Sequence, residues 1–252
     1  MPILGGEVGY KLLRNLWPAP INNLSGKAYS NKDKLQVLLG ENIYEELRDK
    51  VVVDFGCGEG LEAVRIARNG ALKVIGLDIQ ESLLRLARQH AERNGVGQKC
   101  EFAQSTIEKC DVVISLDSFE HFENPVGVLG VMRHLLKPGG YVWASFGPTW
   151  YHPYGGHMFS PFPWAHVLFT EQALVRRRSE LKHDNIRGFH DVPEGLGQMT
   201  IRRFLRVVEE AGFEFLSFEP VPIRKLKLLA NRLTREFTTA VVRCKIRPKR
   251  AQ

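Results

Sequence analysis

The chain has 252 residues, 44% hydrophobic and 25% charged, with a formal net charge of +7. That length suits one domain with a modest insertion, and the composition excludes a disordered, collagen-like or membrane-embedded chain. The charge surplus is local: over residues 221–252 ten basic residues face a single acid, Glu236, giving +9 there and −2 over residues 1–220.

Cys57, Cys100, Cys110 and Cys244 lie far apart with no Cys-x-x-Cys pair. Neither a metal site nor a disulfide framework is expected, and a reducing, cytoplasmic setting suits them. The opening MPILGGEVGYKLLRNLW lacks the basic start, long apolar stretch and cleavage site of a signal peptide. No apolar run is long enough to span a bilayer.

Along the chain, strands and helices are expected to alternate. Val51–Phe55 (VVVDF) is a short apolar run of the kind buried on both faces of a parallel sheet. A glycine-rich turn follows, then a helical stretch with Leu61, Val64, Ile66 and Ala67 on its apolar side and Gly70 as its stop. Residues 72–77 read as the second strand and 81–94 as the second helix, closed by Gly95. Further strands are expected at 100–103, 111–116 and 141–146, with a helix at 125–136 before the turn Lys137-Pro138-Gly139-Gly140. Residues 104–110 leave no room for a crossover helix. This order implies a Rossmann-like α/β fold, a doubly wound, mostly parallel sheet.

An insertion at 147–199 interrupts the rhythm, and a helix (200–211), a strand (214–219), a basic amphipathic stretch (223–233) and a last strand (236–245) complete the chain. Residues 1–45 read as a lead-in segment packing near the mouth of the sheet, and 46–252 as the α/β domain.

The most informative string is Asp54-Phe55-Gly56-Cys57-Gly58-Glu59-Gly60, directly after the first strand. Glycines let the backbone turn sharply and approach a ligand closely. A dinucleotide fingerprint would need its third glycine at position 61, which is leucine; here it falls at Gly60. The loop is headed by an acid, a poor neighbour for a pyrophosphate and a good one for a cation. Asp78, ending the second strand, can accept both ribose hydroxyls of an adenosine. Each marker has a bland reading, a tight turn or a helix cap. Together, in strand–loop–helix–strand–acid order, they point to a nucleoside cofactor.

Over residues 50–146 these motifs closely resemble the class I S-adenosylmethionine-dependent methyltransferases, in particular the group acting on small molecules. The resemblance implies a seven-stranded sheet whose last strand is antiparallel, and S-adenosyl-L-methionine as cofactor. It implies that Asp54, Gly56, Cys57, Gly58 and Gly60 wrap the methionine end, that Asp78 holds the ribose and that Ile79 flanks the adenine. The family's third acid has Thr106 in its place, within Gln104-Ser105-Thr106-Ile107, so adenine recognition would rest on Ser105, Thr106 and Ile107. Leu116 and Asp117, in Leu116-Asp117-Ser118-Phe119-Glu120-His121, match the segment beside the transferred methyl.

Residues 141–169 hold ten aromatics interleaved with His152, His157 and His166. A substrate pocket and lid is one reading, and a satellite hydrophobic cluster is the other. His121, His152 and His157 are the candidate bases. His190, Asp191 and Glu194, in a second variable stretch, could touch substrate or lie in a solvated loop. Arg176-Arg177-Arg178 reads as a solvated helix face.

The expected activity is methyl transfer to an O, N or C centre of a small, partly apolar or aromatic metabolite. Alternatives are an RNA, membrane-lipid or quinone methyltransferase docking through the basic end, and a non-catalytic cofactor-binding protein. Nucleic acid is the less favoured partner, because no RNA-binding module or Asn-Pro-Pro-Tyr-type motif is present. Peripheral membrane contact through 223–233 competes with a plainer reading, in which its leucines are the buried face of a helix.

Overall fold

The computed structural model describes residues 2–20, 32–191 and 195–249. Glu194 lies outside them. Helix α1 (Gly6–Leu16) buries Tyr10 and Leu13, while α2 (Lys34–Leu39) and α3 (Ile43–Leu47) bury Leu35, Leu38, Ile43 and Leu47. Next come β1 (Val51–Phe55), α4 (Leu61–Arg68), β2 (Lys73–Leu77), α5 (Glu81–Arg93), β3 (Cys100–Ala103) and β4 (Cys110–Leu116). Then follow α6 (Pro125–Leu135), β5 (Leu136–Phe146), α7 (Ala165–Leu168), α8 (Glu171–Lys182), α9 (Ile201–Glu210), β6 (Phe213–Pro222), α10 (Arg235–Thr238) and β7 (Thr239–Pro248).

The seven strands form one sheet in the order β3-β2-β1-β4-β5-β7-β6. β1 to β5 pair in parallel, and β7 runs antiparallel to both of its neighbours. β1 sits centrally because its valines can be buried on both faces: Val52 and Val53 are fully buried, and Val53 is in register with Ile75 and Val113. On one face, α6 and α9 cover a core containing Phe119, Phe146, Leu129 and Phe204. On the other, α2 to α5 cover Leu35, Ile66, Leu84 and Ile114. Each such fully buried side chain contributes roughly 1.5–3 kcal/mol, so the two layers dominate the stability.

Three expectations are corrected. β5 starts at Leu136, not Tyr141: Leu136 pairs with Cys110 and Tyr141 with Val112, so Lys137-Pro138-Gly139-Gly140 bulges within the strand. Lys137 holds that bulge through Asp111, 3.0 Å away, while Asp111 also accepts the Val51 amide at 2.8 Å. The arginine run is not a solvated face. Arg177 donates to the Trp17 carbonyl at 2.6 and 2.9 Å and Arg178 pairs with Asp184 at 3.0 Å, both buried, leaving only Arg176 outside. The stretch 223–233 does not lay an apolar face on the sheet. It is a short 3₁₀ segment, Arg224–Leu229, with Leu228, Leu229 and Leu233 exposed.

The insertion has its own small core. Phe159, Phe169, Leu174 and Phe189 pack with Leu13 and Trp17 of the N-terminal region. The plainer reading therefore holds for many of its aromatics. His166 is likewise buried structure, with its ring nitrogens bonded to Ser160 Oγ at 2.7 Å and the Trp150 carbonyl at 2.5 Å.

Candidate cofactor and active site

The parallel strands all deliver their carboxyl ends to one edge, where β1, β4 and β5 turn outward. β1 brings Asp54 there, and the next residues form a loop that β2 secures. The Gly56 and Cys57 amides both donate to the Leu77 carbonyl, at 2.8 and 3.0 Å. The Gly58 amide donates to Asp78 Oδ2 at 3.0 Å, and Asp78 Oδ1 accepts from the Gln80 amide at 2.9 Å. Asp78 thus closes the turn that leads into α5 and also fixes the loop, without capping the helix itself, whose N-cap is Gln80.

The three loop glycines do different work. All have left-handed backbone: φ is +82° at Gly56, +52° at Gly58 and +73° at Gly60. A Cβ at Gly60 would come within 2.7 Å of Ala87 and 2.8 Å of Phe102, so Gly60 lets α4 and α5 close on the sheet. A Cβ at Gly56 would lie 2.9 Å from Ser118 Oγ, which brings the β1 and β4 loops into contact. At Gly58 it would meet open space. Cys57 contributes backbone only, because its buried Sγ faces Gly76 and burial pushes the thiol pKa far up.

Around this opening the side chains suit an adenosine carrying a cationic amino-acid tail. Asp54 is 4% exposed, and its Oδ2 has no hydrogen-bond partner among the described residues. Burial, then the Glu62 carboxylate, pushes its pKa up to about 7. Ile79, next to Asp78, is 85% exposed, and Ile107, in the segment after β3, is 97% exposed. Gln104 Nε2 reaches the Ile79 carbonyl at 3.2 Å, and Thr106 Oγ1 accepts from the Glu108 amide at 3.2 Å. Thr106 shapes the turn with its acceptor side; Ser105 is exposed.

β4 ends at buried Leu116, whose carbonyl accepts from Ser118 Oγ at 3.0 Å. Asp117 follows with φ +51°, anchored by its amide to the Ser145 carbonyl at 2.9 Å. Its Oδ2 pairs with Lys34 Nζ at 2.9 Å, while Oδ1 is buried without a hydrogen-bond partner among the described residues. Burial opposes the Lys34 charge, but Asp117 outweighs it and the lysine pKa is raised. The lead-in segment thus places a cation at the sheet edge, which sequence reasoning missed because Lys34 belongs to no motif.

Glu120 was also missed, although it adjoins His121 in the quoted string. It is 3% exposed; Oε1 accepts from the Gly147 amide at 3.1 Å and Oε2 has no hydrogen-bond partner among the described residues. Burial, then Asp117, pushes its pKa up to about 8.

Of the three candidate histidines, the fold brings two together. His121 and His157 meet edge to face with ring centroids 5.5 Å apart. His121 Nδ1 lies 3.0 Å from the Gly195 carbonyl, which can only accept, so Nδ1 carries a proton there. His157 Nε2 is buried without a partner among the described residues, and burial, then His121, lowers its pKa to about 4. His152 is turned to local structure: its Nδ1 accepts from the Tyr154 amide at 3.0 Å, and burial, then His166, lowers its pKa to about 4. In the second variable stretch, Asp191 Oδ2 accepts from the Arg187 amide at 2.7 Å and His190 is exposed. Among the described residues no cluster of three or more metal-ligating side chains occurs.

A glycine loop and two acids at the carboxyl edge of a Rossmann-like sheet define a nucleoside-cofactor domain. Residues 47–150 match the family of methyltransferase domains. The chain is similar to the ubiquinone biosynthesis O-methyltransferase of Serratia proteamaculans (strain 568), 40% identical over 105 residues, which are 38% of this chain and 42% of that protein. It therefore spans about two fifths of the length of the curated relatives it matches.

Two solved structures share the fold across most of the chain. The [4+2]-cyclase SpnF has a TM-score of 0.58 at 16% identity, covering 96% of this chain and 93% of its own. An S-adenosylmethionine dependent methyltransferase from Mesorhizobium loti has a TM-score of 0.54 at 18% identity, covering 80% and 92%. The chain shares the Rossmann-like fold of both structures. A cyclase on the same fold means that the reaction must be argued from the site.

Proposed function

We propose that the protein is an S-adenosylmethionine-dependent methyltransferase whose acceptor is a hydroxyl on a small, partly apolar or aromatic molecule. The observation that carries the cofactor reading is the open backbone at Gly58, whose amide Asp78 holds, together with the buried Asp54 oxygen that has no partner among the described residues. Asp54 would take the cofactor's ammonium group, Asp78 its ribose, and Ile79 and Ile107 its adenine. The name of the Serratia relative favours oxygen over nitrogen or carbon.

When bound, the cofactor supplies a methyl group on a positively charged sulfur, already activated for in-line displacement. An acceptor hydroxyl would give up its proton in such a transfer, so this chain has to offer a base beside it. Holding the reactants in line supplies roughly 7–11 kcal/mol, and the base adds about 10²–10⁴-fold. Glu120 is mostly protonated at neutral pH, given its pKa of about 8, and so is a poor acceptor there. His121 and His157, which meet edge to face beside the β4 segment, are the candidate bases; His157 is neutral at neutral pH, with a pKa of about 4 that makes it a weak one.

Gly58→Val, strained at φ +52° as well as filling the opening, is expected to abolish S-adenosylmethionine binding in calorimetry, and Asp78→Ala to weaken it by at least about tenfold, with thermal melts to check that both keep the fold. Unchanged affinity in both variants refutes the site.

A further inference from the structure

The basic surplus of the C-terminal segment divides in two. On β7 it is neutralised: Arg243 pairs with Glu219, Lys245 with Glu46 and Arg247 with Glu214, all within 2.8 Å. On the excursion between β6 and β7, Arg224, Lys225, Lys227 and Arg232 are exposed, and among the described residues none pairs with a carboxylate. The one acid there, Glu236, is spent on the Ile201 and Arg202 amides.

The same excursion displays bare hydrocarbon. Leu228, Leu229 and Leu233 are 101%, 62% and 90% exposed. Loose chain does not explain this, because the turn is tied down. The Ile223 amide donates to the Thr238 carbonyl at 2.7 Å, Thr234 Oγ1 to the Leu229 carbonyl at 2.5 Å, and Asn231 Oδ1 takes two amides. Behind the leucines an apolar groove of about 460 Å³ runs between Leu226, Phe237 and Trp164 of the aromatic insertion.

Its place in the fold matters. β7 starts beside the end of β5, since Val242 pairs with Phe146, and β6 ends beside the start of β7, since Pro222 pairs with Thr239. The excursion therefore crosses the same sheet edge that carries the candidate site. Phe237 stacks near Tyr151 at 5.2 Å and Thr149 Oγ1 donates to the Glu236 carbonyl at 3.4 Å, joining it to the insertion.

We propose that this excursion is an interfacial anchor that docks the mouth of the site onto an anionic lipid surface. Exposed leucines interspersed along the chain with cations that have no carboxylate partner among the described residues match a bilayer with acidic head groups: the cations meet phosphates while the leucines enter the boundary of the acyl chains. A second copy of this chain would bring like charge to like charge. A polyanion such as RNA would use the cations and leave the leucines in water.

Co-sedimentation with vesicles tests this without cofactor or acceptor, so its failure leaves the methyl-transfer reading standing, and the reverse. The wild type should pellet at low salt with equimolar phosphatidylcholine–phosphatidylglycerol vesicles and not with phosphatidylcholine alone. Leu228→Ser/Leu229→Ser/Leu233→Ser should weaken binding at least about tenfold, and Arg224→Glu/Lys225→Glu/Lys227→Glu should abolish it. Thermal melts check that both variants keep the fold. A wild type that stays in the supernatant with both vesicles overturns the proposal. So does a serine variant that binds as tightly as wild type, which marks a purely electrostatic surface of the RNA-binding kind.

Discussion

Asp54 is the last residue but one of a strand buried on both faces, so its carboxylate is held in low dielectric with a second acid, Glu62, nearby. A pKa near 7 leaves it poised: an incoming ammonium group would restore the charge that burial suppresses. The ionised fraction then grows about tenfold from about pH 6 to about pH 8, and affinity for S-adenosylmethionine should tighten by the same factor. Asp54→Asn should bind weakly at both values with no slope. Isothermal calorimetry decides the matter, and a slope surviving in the variant would remove Asp54 from the cofactor's tail. The base belongs to the same scale. If His157 serves, its low pKa keeps it neutral down to about 4, so kcat should stay flat through the mildly acidic range and drop in His157→Ala.

Among the elements, α9 shows how distant segments are tied at the site's edge. Thr200 caps the Arg203 amide at 3.0 Å, while Glu236, 34 and 35 residues away, takes the Arg202 and Ile201 amides at 2.9 and 3.0 Å. Glu236→Ala strands two amides at a positive helix end and should cost about 1–2 kcal/mol, read as a lower urea midpoint with unchanged slope. An unshifted midpoint would mean that the contact carries no energy. Gly197→Ala should cost about 1–3 kcal/mol in the same assay, since its Cβ would lie 2.8 Å from the Glu120 carbonyl that accepts the Gly197 amide.

Such ties mark the limit of what the sequence discloses. The strands β1 to β4 and the glycine loop were legible because local pattern alone sets them: valine runs, turn glycines, an acid closing a strand. The sheet's seven strands and antiparallel last member followed from the family resemblance. Lys34 on Asp117 and Glu236 on α9 were not legible, because they join residues far apart in the chain. The leucines of 223–233 had helical spacing, and only the tertiary surroundings reveal that nothing covers them. Arg177 and Arg178 read as solvent-facing, and the Trp17 carbonyl and Asp184 that bury them come from other segments.

For the molecule as a whole, the buried titratable groups pull stability in opposite directions with pH. His152, His157 and His166 are held near 4, against an ordinary 6.5, by burial. Between those values the unfolded chain binds protons that the native state refuses, so these three weaken the fold as pH falls from 6.5 towards 4. Asp54 and Glu120 do the reverse. Their native values near 7 and 8 lie above the ordinary 3.8 and 4.5, so the native state keeps protons that the unfolded chain has released. Their contribution is complete in acid and is lost as pH rises through 7 and 8.

Below 6.5 three histidines outweigh two acids; above it only the acids act. Stability from these five groups should therefore peak near pH 6.5 and fall towards about pH 8.5. Glu120→Gln, neutral at every pH, should raise Tm on the alkaline side by a few degrees and flatten that limb, since about 1 kcal/mol moves a domain of this size by roughly 2–4 °C. Scanning fluorimetry across the pH series measures both limbs at once. An alkaline limb unchanged in Glu120→Gln would show that this carboxyl is not the buried acid whose ionisation loosens the fold.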